Sequence, residues 1–305
     1  MVKKPELSGE LVPGLKLKNP VMPASGTYDY GEGANAFDPS LLGAIVTKSV
    51  AASPRAGNAP PRLYETPCGL LNAVGIPSEG VDAFKRHTLP GLKKYDTALI
   101  VSVAGETPAD FIKVIGSLEE EEGIAAYELN FSCPNLGDGM PYGTDPELLA
   151  LALKKIRKVA ARPLIVKLSP NVADIRLMAR RAREAGADIL TVANTLTGMA
   201  IDIRKRKPVL GNIFGGLSGP AIKPIALRMV WEVAGAVDIP VIGVGGITNA
   251  ADALEFIMAG ARAVQVGTAN FANPMVMLEI IEGIADYLQE NGFAKVEDIV
   301  GLARK

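Results

Sequence analysis

A chain of 305 residues with 48% apolar content and 32 basic against 33 acidic groups can bury a large core, and it carries no electrostatic footprint for nucleic acid or an anionic membrane. Two cysteines, Cys68 and Cys133, are too few for a disulfide framework or for a four-cysteine iron–sulfur cluster on this chain. With no amino-terminal signal pattern, no long apolar span and a single histidine, the composition indicates a cytoplasmic protein with no metal site, and His87, beside Lys85 and Arg86, reads as a surface residue.

From Asn19 onward, short apolar runs alternate with longer amphipathic stretches. The strand candidates are Pro20 to Ala24, Ala44 to Lys48, Ala98 to Val103, Ala125 to Asn130, Leu164 to Leu168, Ile189 to Ala193, Val241 to Gly243 and Ala263 to Val266. Helices are predicted to start near Asp38, Ser78, Pro108, Asp145, Val172, Lys223, Asn249 and Pro274. Thr107 and Asp145 each precede a proline in a first helical turn, and Gly186 and Gly260 close two of the later helices. Continuous apolar runs, rather than alternation, imply strands covered on both faces, as in a parallel sheet. Eight β/α units therefore predict an α/β protein in which residues 1–305 form a single (β/α)8 TIM barrel. Two stretches exceed ordinary connections, Ser49 to Ser78 after the second strand and Leu196 to Pro220 after the sixth, and both read as lids or binding loops. The acidic run Glu119 to Glu122 and the basic cluster Arg204 to Lys207 read as solvated surface.

Polar residues and glycines gather where the strands end. Ser25, Lys48, Ser102, Asn130 with Cys133, Lys167, Asn194 with Thr195, Gly245 with Gly246, and Gly267 with Thr268 all fall at or just past a carboxyl end. In a barrel those ends share one face, the face that carries catalysis. The paired glycines after the seventh and eighth strands offer bare backbone N–H groups beside helix starts, a cradle for phosphate. No G-x-G-x-x-G follows an early strand, which argues against a nicotinamide dinucleotide on this chain. An ammonium ending an apolar strand needs an anionic partner, and a reduced flavin supplies one. A phosphate cradle, strand-end lysines and a thiol among amides together suggest a flavin mononucleotide and a planar polar substrate.

The motifs resemble those of the dihydroorotate dehydrogenase family, class 1B catalytic chains in particular, from about Leu11 to Gln289. The resemblance rests on Ala24 to Thr27, Thr47 to Ser49, Pro54 to Arg62, Glu65-Thr66, Asn72 to Ile76, Asn130 to Asn135, Lys167 to Asn171, Ala193 to Thr195, Gly215 to Pro220 and the two glycine pairs. It implies an FMN enzyme that oxidises (S)-dihydroorotate to orotate in pyrimidine synthesis, with Cys133 as the base for the C5 proton and hydride leaving C6 for flavin N5. Lys48, Asn72, Ala73, Val74, Gly75, Ile76, Asn130, Asn194 and Thr195 are implied to surround the substrate. Lys167 is implied at the flavin N1/O2 edge, and Ser25, Lys48, Ser49, Ser102, Asn130, Ala193, Gly219, Gly245, Gly246, Gly267 and Thr268 complete the FMN site. The same resemblance implies a partner subunit with FAD and a [2Fe-2S] cluster that passes electrons to NAD, and a homodimer of catalytic chains within a heterotetramer. Ser78 and Ser102 stand where the family usually has Asn, and a shorter side chain at Ser102 leaves room for a bridging water. A flavin barrel acting on another reduced pyrimidine, a tRNA-reducing flavin barrel and a non-catalytic barrel that only binds a phosphorylated ligand are the alternatives.

Overall fold

The computed structural model describes residues 4–28, 36–131 and 141–305. Eight parallel strands run Val21–Pro23, Ala44–Val46, Ala98–Val103, Ala126–Asn130, Leu164–Lys167, Ile189–Val192, Val241–Val244 and Ala263–Val266. From the second strand to the eighth each pairs with the next in sequence, and the eighth pairs with the first. The Gly43 N–H donates to Val21 O at 2.9 Å and joins the first strand to the second, so the sheet closes into a (β/α)8 barrel. A side chain at Gly43 has no room, because a Cβ there lies 2.0 Å from Asn19 O.

Alternation along each strand separates two cores. Met22, Val46, Ile100, Ile165, Ile189 and Ile242 fill the barrel interior, and Leu11, Leu15 and Leu17 of an amino-terminal hairpin, Gly9–Val12 with Leu15–Leu17, pack against them. Phe111, Leu153, Met178, Val230, Phe256 and Ile280 belong to the second core, between the strands and the surrounding helices. Above the apolar interior the inward residues become polar: Ser102, Glu128, Lys167, Thr191 and Gln265 are all buried.

Helices form where the caps indicate. Thr107 and Asp110 make a reciprocal capping box for Pro108–Glu119, and Asp145 caps Pro146–Arg157 through the Glu147 and Leu148 N–H groups. Asn249 caps Ala250–Met258, and Gly186 and Gly260 follow their helices at positive φ. The fifth helix begins later than expected, at Ile175, because Asp174 rather than Val172 supplies the cap. The helix expected near Asp38 is only the single turn Pro39–Leu41, since few residues separate its cap from the strand at Ala44. Past Ser78, a helical stretch begins at Val81 and widens over Phe84–Thr88 before Leu89–Leu92.

The two long connections are not irregular loops. Leu63–Thr66 and Gly69–Asn72 form a hairpin whose second strand pairs with Gly215–Ser218, which pairs in turn with Leu196–Gly198. This four-stranded antiparallel sheet comes from the loops after the second and sixth strands. His87 and Arg204 to Lys207 are exposed. The acidic run divides: Glu120 and Glu122 face solvent, whereas Glu119 pairs with Arg162 and Glu121 with Lys85 and Lys93. No helix among the described residues is long and apolar enough to cross a membrane.

Arg162 locks the amino-terminal end of the fourth strand. Its guanidinium donates to Glu119 Oε2 at 2.7 Å, Tyr127 Oη at 3.0 Å and the Leu118 and Glu121 carbonyls. Burial pushes the Tyr127 hydroxyl up to about 12 against the opposing pull of Arg162, so it stays a neutral acceptor at ordinary pH. Arg162→Ala strands these acceptors and is expected to lower unfolding free energy by about 2–3 kcal/mol, measured by denaturant titration; a loss below about 0.5 kcal/mol contradicts this role.

Candidate active site

A cavity opens at the carboxyl ends of the strands and is roofed on one side by the antiparallel sheet. Residues from or just beyond seven of the eight barrel strands line it: Ala24 and Ser25, Lys48, Asn130, Lys167, Ala193, Val244 and Gly267. The third strand contributes from behind. Ser102 is fully buried and does not line the cavity; its hydroxyl lies 2.9 Å from Ser49 Oγ, which in turn lies 3.4 Å from Ser25 Oγ. The short side chain of Ser102 thus ends on Ser49 and stands one hydroxyl back from the cavity.

The amides form a connected group. Asn194 Nδ2 donates to Asn130 Oδ1 at 3.4 Å, and Asn130 Nδ2 to Ser49 Oγ at 3.4 Å. Asn194 Oδ1 accepts the Thr195 N–H at 2.8 Å, which fixes the turn leaving the sixth strand. Asn72, also on the cavity wall, ends the inserted hairpin and donates to Gly216 O at 3.2 Å, fastening the two insertions together. Gly216 must be bare there, since a Cβ would lie 2.0 Å from Thr195 Oγ1. Val74, Gly75 and Ile76 follow Asn72 along the cavity wall, whereas Ala73 turns away into a small core with Leu71 and Leu210. Ser78 is also off the cavity wall; its hydroxyl accepts the Ala51 and Gly80 N–H groups at 3.0 and 3.2 Å and ties the loop ends together.

Across the cavity from this amide group lie Gly219, Gly245, Gly246, Gly267 and Thr268. Gly219 and Gly246 have φ of 92° and 74°, and a Cβ at Gly246 meets Gly219 O at 2.8 Å. Thr268 Oγ1 donates to Ser218 Oγ at 2.8 Å, joining the eighth strand's loop to the inserted sheet. The seventh strand's loop is held by Asp252, which accepts from the Thr248 N–H and hydroxyl and from Lys223 Nζ. Burial tends to raise the Asp252 carboxyl, but hydrogen bonds from Lys223 and Thr248 outweigh it and hold the group below its ordinary range. Lys223 is raised in turn by its bonds to Asp252 and Glu255.

Lys48 is exposed to the cavity, whereas Lys167 is only 6% exposed and lies within 3.7 Å of the buried Glu128. Cys133 lies outside the described residues. Sequence reasoning did not identify Leu63, Leu70, Ile222 or Phe271 on the wall. Leu63 and Leu70 belong to the inserted sheet, and their place depends on pairing between distant segments. Nor did it assign roles to Glu128, Thr191 and Gln265, although a charged or amide residue inside an apolar run is itself a signal.

The profile of the family described as Dihydroorotate dehydrogenase matches residues 9–288. The chain is 52% identical over 300 residues to a Pelobacter propionicus protein named Dihydroorotate dehydrogenase B (NAD(+)), catalytic subunit, covering 98% of both chains. Relatives of the same name from Geotalea uraniireducens and Desulforamulus reducens are 52% and 53% identical, covering 98% and 95% of this chain and 98% and 96% of theirs. The matched span contains every barrel strand and every lining residue named above, and the chain belongs to the dihydroorotate dehydrogenase family.

Proposed function

We propose that this chain oxidises dihydroorotate to orotate with FMN bound in the barrel mouth, and that the electrons leave for NAD through a partner subunit. The observation that carries the reading is that two unlike sets of groups line one cavity: the amides Asn72, Asn130 and Asn194 with Lys48, and the bare backbone at Gly246, Gly267 and Thr268. Near-full-length identity to relatives named as NAD-linked catalytic subunits supports it.

The residues fit an FMN. Among the described residues, the backbone N–H groups of Gly246, Gly267 and Thr268 enter none of the turn or side-chain hydrogen bonds, which leaves them for a phosphate. A Cβ built on Gly267 meets nothing closer than 3.7 Å, so packing does not require glycine there; the space it keeps open belongs to a ligand. Gly219, Ser25, Ser49, Asn130 and Ala193 line the route from this cradle toward Lys167. The Lys167 ammonium is placed to favour negative charge on a flavin ring.

When bound, FMN supplies the hydride acceptor. Lys48 gives the substrate carboxylate a cationic partner, and the Asn72, Asn130 and Asn194 amides match the donors and acceptors of a planar ring. Cys133, three residues beyond Asn130 in sequence, is the base for the C5 proton, a role a thiol can fill because its ionisation is tunable towards neutral pH. The antiparallel sheet roofs one side of the site. The partner carries FAD and a [2Fe-2S] cluster, two catalytic chains pair within a heterotetramer, and the assembly works in the cytoplasm.

Mixed anaerobically with dihydroorotate, the FMN-loaded protein is expected to bleach, and dihydrouracil, which lacks the carboxylate, is expected to bleach it far more slowly. Equal rates count against the substrate. Cys133→Ser is expected to keep FMN while slowing that bleaching about 10²–10⁴-fold; an unchanged rate removes the proposed base. Gly267→Val is expected to fold normally by circular dichroism and to weaken FMN binding at least about tenfold, the loss of roughly one charge-assisted hydrogen-bond contact. Unaltered FMN affinity places the phosphate elsewhere.

A further inference from the structure

The barrel axis holds a carboxylate that the reaction above does not use. Glu128 is 0% exposed and sits two residues before Asn130 on the fourth strand, on the same inward face. Its Oε2 accepts from Thr191 Oγ1 at 2.9 Å and from Gln265 Nε2 at 2.6 Å. Its Oε1 has no hydrogen-bond partner among the described residues and lies 3.7 Å from Lys167 Nζ. Lys167 Nζ donates to Gln265 Oε1 at 3.2 Å. The Gln265 amide therefore spans the ion pair, with its NH2 on the carboxylate and its oxygen on the ammonium. Turned over, it would face like with like at both ends.

Stability alone gives no reason for these groups, since exchanging a buried ion pair for apolar side chains is often neutral or favourable. Their position gives one. Lys167 lines the cavity, and Glu128 stands behind it in a layer closed to water. At this separation and low local dielectric, the carboxylate cancels a large part of the field that the ammonium projects into the cavity.

We propose that Glu128, held by Thr191 and Gln265, is a positioning residue that sets Lys167 against the flavin ring and offsets part of its charge, and so tunes the potential at which bound flavin is reduced. The inference rests on the reading of the cavity as a flavin site with Lys167 facing the ring.

The test is a spectroscopic redox titration of FMN-loaded protein. Glu128→Gln keeps the shape and removes the charge, and is expected to tighten the hold on reduced relative to oxidised FMN about tenfold, a rise of ~30 mV for a two-electron couple. Thr191→Val strips one donor from the carboxylate, strengthens its field and is expected to move the potential the opposite way, about threefold in the same ratio. It also keeps the question answerable if Glu128→Gln does not fold. Neither variant shifting the potential, or Glu128→Gln lowering it, overturns the proposal. In a Lys167→Gln background, Glu128→Gln is expected to shift the potential by less, because the carboxylate's own field remains but there is no ammonium left to position; an undiminished shift there overturns the positioning of Lys167. Protein that binds no FMN, or a Lys167→Gln potential equal to that of the unaltered chain, overturns the flavin reading itself and is a separate result from failure of the Glu128 network.

Discussion

Closure of the barrel is the constraint on which the site depends. One hydrogen bond, from Gly43 to Val21, joins the strands at the ends of the pairing order, and only a residue without a Cβ fits at that crossing. Once the ring is closed, alternation along every strand is fixed, and so is the layer each inward residue occupies. Isoleucine, valine, methionine and alanine make the lower layers dry, and leucines of the amino-terminal hairpin pack against them. The polar residues above them are then held at one depth and aimed at one opening.

The site combines rigid and added parts. Strand ends place Lys48, Asn130, Lys167 and Asn194 with the precision of a packed core, which a loop could not provide. The inserted antiparallel sheet supplies Asn72 and the apolar wall; Asn72 to Gly216 holds its two insertions together, and Thr268 to Ser218 pins it to the barrel. The proposed phosphate side depends on backbone rather than side chains, with Asp252 and Lys223 stabilising the turn behind it. Anion recognition, amide recognition and charge compensation thus fall on different elements that closure brings together.

Much of this was legible before any coordinates. The barrel strands stood out because strands covered on both faces read as unbroken apolar runs, and Thr107, Asp145 and Asn249 marked helix starts through short polar caps. The antiparallel sheet was not legible: Leu63–Thr66 is largely exposed and shows no alternation, and Gly69–Asn72 finds its partner in Gly215–Ser218, far along the chain. Ser102 and Ala73 illustrate a second limit, because adjacency to a strand end or a motif does not decide which way a single side chain turns. Glu128 was visible as a charge within an apolar strand, but its partners Thr191 and Gln265 became apparent only through the register of three separate strands.

The central claim is that these separated strand ends enclose one flavin and its substrate. Crystallographic density from the chain grown with FMN and orotate tests it most directly. The account places the phosphate on Gly246, Gly267 and Thr268, the flavin ring beside Lys167, and orotate against Asn130 and Asn194. Flavin density outside the barrel mouth, or a phosphate bound away from those glycines, would contradict it.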